Sequence, residues 1–269
     1  MLIKCDAVQL EWRTKVFLSQ DPVGMKEIQE GYPIHEDNQK VFGLPTRTVA
    51  KVFLYRAIFA DAFGEQGFKG PAYSYANDAE FRGTSTSSKF WEGVMARFFQ
   101  KYTGVYNHSV ELIRRAIETG RIESPSGRFY TYCPVARGDS QDWPRTQILN
   151  HVVQGLAADF ILTARKLIHQ RLDEFPEYHQ GLVLPQNTVH DSAELDVDNN
   201  MELCYNISIL LENCFKDIPK EFETDYGTVV NVPLAGEVKF GWTLDEEKMI
   251  KFNQQSFEKD WRELYETKR

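Results

Sequence analysis

The stretch Leu2-Ile3-Lys4-Cys5-Asp6, continued by Ala7-Val8-Gln9-Leu10-Glu11-Trp12-Arg13, decides how the rest of the chain is read. Residues 2–6 read as a short buried strand ending on an aspartate. Residues 9–19 read as a helix with Leu10, Val16 and Phe17 on its apolar side. A carboxylate at a strand end, short and stiff, can hold a hard cation. Far along the chain, Val189-His190-Asp191 repeats the theme: an apolar run, then an aspartate in an expected strand–turn–strand. Between the two lies Arg47-Thr48-Val49-Ala50-Lys51, followed by Tyr55 and Phe59. Two separated carboxylates and a cationic helix make up the parts list of metal-dependent phosphoryl transfer.

Composition sets the frame for this reading. The chain has 269 residues, 42% hydrophobic and 26% charged, enough for one large domain or two smaller ones. Its 18 Phe, 12 Tyr and 5 Trp argue against disorder. A formal net charge of −8 argues against strong unaided DNA binding, since phosphate contacts need Lys and Arg. No apolar run reaches membrane-spanning length, and the N-terminus does not read as a signal peptide, so no membrane partner and a cytoplasmic location are expected. The four cysteines, Cys5, Cys133, Cys204 and Cys214, show no CxxC pair and read as reduced, mostly buried thiols.

Periodicity predicts an α+β order. A short polar helix is expected over 35–40, and a helix over 47–62 with Thr46 as its N-cap. Residues 67–88 read as loop with short helical turns, and 89–102 and 105–119 as helices. Ser124-Pro125-Ser126-Gly127 marks a hairpin turn, and 137–142 a polar loop. The strongest helical pattern covers 146–172. Strands are expected over 182–185, 188–190 and 193–197, then a helix over 201–215 and strands over 229–234 and 237–242. The segment from 245 onward reads as a charged helix with an aromatic stripe, Phe252, Phe257 and Trp261, offered as a surface for a partner.

Taken singly, Asp6 or Asp191 reads more simply as a turn or strand-end residue; the pair in its two contexts points to a metal site. Arg47, Lys51, Tyr55 and Phe59 step by four and share one drifting helix face. Like charges at i and i+4 repel by a few tenths of a kcal/mol. An anion between them near the helix N-terminus would offset that repulsion, and a triphosphate is the natural candidate. The motif alone fits an exposed basic face with two core aromatics equally well.

Several ordered motifs resemble those of family A DNA polymerases, the group of the bacterial repair polymerase and many phage replicases. The family's D-x-S-Q-[IL]-E-x-R is similar to Asp6, Gln9, Leu10, Glu11 and Arg13. Its R-x3-K-x3-[FY]-x3-Y-G is similar to Arg47, Lys51, Tyr55 and Phe59-Ala60. Its H-D-E resembles His190-Asp191-Ser192. Pro33-Ile34-His35, Gly127-Arg128, Asn150-His151-Val152-Val153-Gln154-Gly155 and Gly241-Trp242 extend the likeness over roughly residues 2–244, in a layout closer to phage members.

The resemblance implies a right-hand palm, an antiparallel sheet with helices, plus helical fingers, with thumb and exonuclease absent. It divides the chain into palm (1–40), fingers (41–130), palm (131–244) and a helical tail (245–269). It implies a DNA-directed DNA polymerase that takes deoxynucleoside triphosphates and primer–template DNA as partners. Asp6 and Asp191 would hold two Mg2+ ions, for which Mn2+ can substitute. Arg47 and Lys51 would bind the triphosphate, with Lys51 a proton donor to the leaving pyrophosphate. Glu11 would exclude a 2′-hydroxyl. Tyr55, Phe59, Gln9 and His35 would line the nucleotide. Arg13, Asn150, Gln154 and His190 would lie along the DNA. His35 and His190 also read as hydrogen-bonded structural histidines.

Departures from the pattern are Phe59 and Ala60 for the usual Tyr-Gly, Ser192 for a carboxylate, and Ala7-Val8 for an aromatic–serine pair. They suggest altered rate or fidelity. The first motif starts almost at Met1, which fits a polymerase encoded as two chains, a deliberately cut piece or a truncated gene, and a second chain supplying thumb and exonuclease is expected. The alternatives are an inactive polymerase-fold remnant that binds DNA or a partner, a single-subunit RNA polymerase, which Glu11 disfavours, and a two-metal nuclease, which would not need the Arg47 face.

Overall fold

A computed structural model describes residues 1–64, 66–137 and 140–266. In chain order the elements are β1 (Leu2–Ala7), α1 (Leu10–Ser19), α2 (Pro22–Gln29), α3 (Ile34–Phe42), α4 (Arg47–Phe59), α5 (Lys69–Ala76), a 3-10 turn (Ala79–Phe81), α6 (Ser88–Lys101), α7 (Thr103–Thr119), β2 (Arg121–Glu123), β3 (Phe129–Thr131), β4 (Val135–Arg137), β5 (Ser140–Asp142), α8 (Arg145–Leu172), α9 (Pro176–His179), β6 (Val183–Val189), β7 (Ser192–Val197), α10 (Met201–Tyr226), β8 (Gly236–Gly241), β9 (Ile250–Lys251) and α11 (Phe257–Glu266). The class is α+β. Two compact units form, residues 11–156 and residues 1–10 with 157–269. These bounds differ from the four segments expected from the sequence: the helical unit already begins at Glu11 and runs on into α8.

The sheet unit holds five antiparallel strands in the order β6-β7-β1-β8-β9. β1 is central, and its residues alternate: Ile3, Cys5 and Ala7 are buried, while Lys4 and Asp6 point to the other face. α10 covers the apolar face through Ile207, Leu211, Cys214 and Phe215. The approach is close enough to require a glycine, since a Cβ at Gly236 of β8 would lie 2.3 Å from Cys5 Sγ and 2.9 Å from Phe215 Cγ. β6 and β7 form the expected hairpin, closed by the two residues His190 and Asp191 after the last pair Val189↔Ser192.

The helical unit packs two apolar clusters. One joins α7, β2 and α8 through Leu112, Ile113, Ala116, Ile122, Ile148, Leu149 and Val152. The other is aromatic: Phe53 of α4 lies 5.6–6.1 Å, centroid to centroid, from Phe42, Tyr75, Trp91 and Phe98.

Several expectations need correction. α2 was not anticipated, although Asp21-Pro22 carries its start signal: Asp21 Oδ1 accepts from Val23 N and Gly24 N, with proline at the first helical position. α4 stops at Phe59, because Ala60 turns extended at ψ 137°. Residues 69–76 form a full helix, α5, in the stretch read as loop. Part of the polar loop 137–142 pairs as β4 with β5, and Gly138 and Asp139 lie outside the described residues. α10 continues past residue 215, through Pro219, to Tyr226. Proline removes one backbone bond, but Phe222 stays fully buried against Phe160 and anchors the extra turns. Residues 229–234 alternate as predicted, with Val230, Val232 and Leu234 buried, yet no strand pairs with them among the described residues.

The segment after residue 244 is not one helix. β9 adds an edge to the sheet, and α11 follows. Phe252 and Phe257 are buried against Tyr205 of α10, and Phe257 against Phe240 of β8. Trp242 Nε1 donates to Leu264 O at 3.1 Å. The aromatic stripe therefore completes the sheet unit's own core and is not a free docking surface.

Candidate functional site

In the sheet unit the ladder brings the two sequence-distant aspartates together. Asp6 lies opposite Ser192, the residue after Asp191, on one side and opposite Glu237 on the other. Ala7 N donates to Asp191 O at 2.9 Å. His190, exposed, adopts the left-handed conformation at φ 53° that the tight turn demands, and so does Gln9, at φ 52°, between β1 and α1. Ser192, the departure from the family's third acidic position, is buried, and its Oγ donates to Val189 O at 2.9 Å. It braces the turn from within.

Asp6 is partly buried, and Lys4 Nζ sits 3.2 Å from its Oδ1. Its carboxyl is nonetheless raised above the usual carboxylate range: burial contributes most, and the negative charges of Glu246 and Asp191 add to it against the pull of Lys4. A carboxylate held in its charged form against burial and the negative charge of Asp191 gains from a divalent cation beside it. Among the described residues no three His, Cys, Asp or Glu side chains cluster as a complete cage. That donor set fits magnesium, which keeps several waters and takes one or two carboxylates plus phosphate oxygens.

In the helical unit, Thr46 caps α4 by accepting from Val49 N at 3.2 Å. Val49, Ala50, Phe53, Leu54, Ala57 and Ile58 face the core, which leaves Arg47 and Lys51 exposed and Tyr55 and Phe59 half-buried. Arg47 Nε bonds Glu36 at 2.5 Å. Lys51 has no ion pair among the described residues, so its charge is available to an anion. His35 is buried beside this face, its ring 6.1 Å from that of Tyr55. Burial, reinforced by Arg47 and Lys51, pushes its imidazole down to about 4, which keeps it neutral and acts against a third cation there. Arg13 of α1 is held below its ordinary value by burial, with Tyr55 near enough to act on it. Gln154 Nε2 of α8 donates to Glu11 Oε1 at 3.4 Å. Asn150, one turn earlier, has its Oδ1 buried without a hydrogen-bond partner among the described residues.

The helical unit thus gathers Arg47, Lys51, Tyr55 and His35 in one place and Glu11 with Gln154 in another. The sheet unit gathers Asp6, Asp191 and His190. Sequence reading passed over Lys4, although its signal was present: residues i and i+2 of a strand share a face.

Among the described residues no helix is long and apolar enough to cross a membrane. A solved structure of the POL domain of Pol1 from M. smegmatis, described as a complex with DNA primer-template and dNTP, matches with TM-score 0.65 and 20% sequence identity, over 89% of this chain and 39% of that one. The likeness shows a shared fold, and this chain spans well under half the length of that relative. The sequence model of DNA polymerase family A matches residues 1–246, so this chain belongs to that family.

Proposed function

We propose that the chain is the palm and fingers portion of a DNA-directed DNA polymerase of phage-like type, acting in DNA replication in the cytoplasm. Its partners are deoxynucleoside triphosphates, primer–template DNA, and a thumb and exonuclease supplied by a further segment or a second chain. The observation that carries the reading is the backbone pairing that sets Asp6 beside the Asp191 turn, in a chain of this family.

In this reading Asp6 and Asp191 would hold two divalent cations, magnesium or manganese, which supply charge neutralisation at the attacking and leaving oxygens. Lys51 and Arg47 bind the triphosphate; as the primer 3′-hydroxyl loses its proton to water and its oxygen bonds the α-phosphorus, the bond from that phosphorus to pyrophosphate breaks and Lys51 gives the departing pyrophosphate a proton. Tyr55 and Phe59 offer ring faces to the sugar and base. Neutral His35 packs beneath them, and Gln9 sets the chain direction after Asp6. Glu11, held by Gln154, blocks a 2′-hydroxyl. Arg13, Asn150, Gln154 and His190 contact primer–template.

Extension of a labelled primer–template with magnesium and deoxynucleotides tests the reading, run with and without a thumb-bearing partner. Extension abolished by Asp6→Ala, and ribonucleotide use gained by Glu11→Ala, are expected. Extension that survives Asp6→Ala would overturn the assignment.

A further inference from the structure

We propose that Lys4 competes with divalent cations for Asp6, so that the sheet unit binds metal more weakly than its two aspartates alone would dictate. The inference rests on the reading of Asp6 as a metal ligand.

The argument starts from strand geometry. Lys4 and Asp6 are two residues apart on β1 and share its polar face, and Lys4 Nζ lies 3.2 Å from Asp6 Oδ1. Their side chains are 15% and 27% exposed, so the pair is screened less than a surface pair would be. An ammonium at that distance occupies a lone pair that a hard cation would use and cancels one unit of the charge that would attract it.

Lys4 is also tethered. Its ammonium bonds Glu246, which bonds Lys239 as well. Lys239 stands opposite Lys4 in the ladder and lies 3.9 Å from Glu237, which in turn pairs with Lys251. This chain of ion pairs across the sheet's polar face ends at Asp6. It keeps the ammonium at the carboxylate, and it offers a resting place once a metal arrives: Lys4 can give up Asp6 and keep Glu246. Lys4 is a tuning residue that acts through Asp6, with no contact of its own to substrate required.

Mn2+ binding to the metal-free full chain, followed by electron paramagnetic resonance at low ionic strength, tests this without any turnover. Lys4→Gln, which drops the charge and keeps a polar stem, should tighten the site about fivefold. Lys4→Arg, which keeps the charge, should leave it near the parent value. Asp6→Asn placed on Lys4→Gln should erase the gain. A folded Lys4→Gln chain whose Mn2+ affinity is unchanged or weaker overturns the proposal, provided Asp6→Asn still weakens binding. If Asp6→Asn changes nothing in either background, the metal-ligand reading itself falls, and this inference with it. On the unaltered chain, magnesium should shift the side-chain NMR resonances of Lys4, and no shift would count equally against competition.

Discussion

Asp6 is held by hydrogen-bonded strands on both sides, while Lys51 hangs from an exposed helix face with no ion pair among the described residues. In the sheet unit the ladder fixes Asp6, the hairpin turn and its bond from Ala7 N fix the backbone at Asp191, and the charge of Asp191 adds to the raising of Asp6. In the helical unit the apolar half of α4 fixes the helix, Arg47 is tied to Glu36, and Lys51 keeps its side-chain freedom. A metal needs ligands at defined positions, whereas a flexible anion such as a triphosphate can be met by long side chains. The contrast teaches that the sheet unit spends some folding stability on holding Asp6 charged and partly buried, while the helical unit spends almost none on the exposed Lys51.

The sharpest way to break this contrast is Asp191→Asn. The substitution removes half of the proposed carboxylate pair and keeps its shape. Primer extension should fall roughly 1,000-fold, the scale of losing several kcal/mol of transition-state charge stabilisation. The melting temperature should hold or rise slightly, because repulsion on Asp6 is relieved. A stable variant with normal extension would remove Asp191 from the site.

Asp21 in the helical unit shows what a carboxylate does when its job is structural. It is fully buried. Oδ1 accepts from Val23 N at 3.0 Å and Gly24 N at 2.9 Å, and Oδ2 accepts from Gly104 N at 2.7 Å and Val105 N at 3.2 Å. One side chain thus caps α2 and the start of α7 together. Only glycine allows the approach, since a Cβ at Gly104 would lie 2.7 Å from Asp21 Cα. Asp21→Ala should cost about 3 kcal/mol in denaturant unfolding, from two lost caps and four stranded amides. Asp21→Asn, which can still accept on one oxygen, should recover part of that cost. A loss below about 1 kcal/mol would show that the amides find other partners.

These three aspartates, Asp6, Asp191 and Asp21, also show what the sequence alone could tell. Asp6 and Asp191 were legible because each ends an apolar run within a longer motif, although only the antiparallel register shows that they meet. Asp21 carries an N-cap signal with Pro22, yet its second helix lies some eighty residues away, and no local pattern records that. The α4 face was legible because a helix repeats every 3.6 residues, so Arg47, Lys51 and Tyr55 align from spacing alone. The aromatic stripe of the tail was read correctly as apolar and wrongly as free, because periodicity says that a face is buried and not by what. Lys4 was passed over because a lysine in a short strand looks like ordinary solvent-facing alternation.

Lys51 sharpens the comparison from the other side. Lys51→Ala should lower the extension rate about 100-fold, as for loss of a proton donor and a phosphate contact. It should leave the melting temperature unchanged, because the side chain is exposed. Arg47→Ala, which also frees Glu36, should act more on nucleotide affinity than on rate. A Lys51→Ala chain that loses stability would mean that the helical unit relies on its cations after all.

The smallest effect concerns Lys15, a cation the helical unit does hold rigidly. It is fully buried in α1. Its Nζ donates to Ser109 Oγ at 2.8 Å and lies 3.4 Å from His108 Nδ1, with no carboxylate in contact among the described residues. Burial pushes its ammonium down from 10.5 to about 7. His108 is itself pushed down to about 3, by burial first and then by Lys15 and Arg115, so it stays neutral across the neutral and alkaline range. Between pH 7 and 10.5 the unfolded chain therefore carries a proton that the folded chain has released. The unfolded state binds more protons there, so stability rises with pH through that window. Below it both states are protonated, and the cost of burying the charge is felt in full. Lys15→Met should stabilise the chain by about 1–3 kcal/mol near neutral pH, the range seen when buried charge gives way to an apolar side chain. The gain should shrink steadily as denaturant midpoints are measured from about pH 7 to about pH 10. A gain that did not vary with pH would trace to better packing by Met, and the neutral amine would then be an ordinary core group that the fold tolerates at no electrostatic cost.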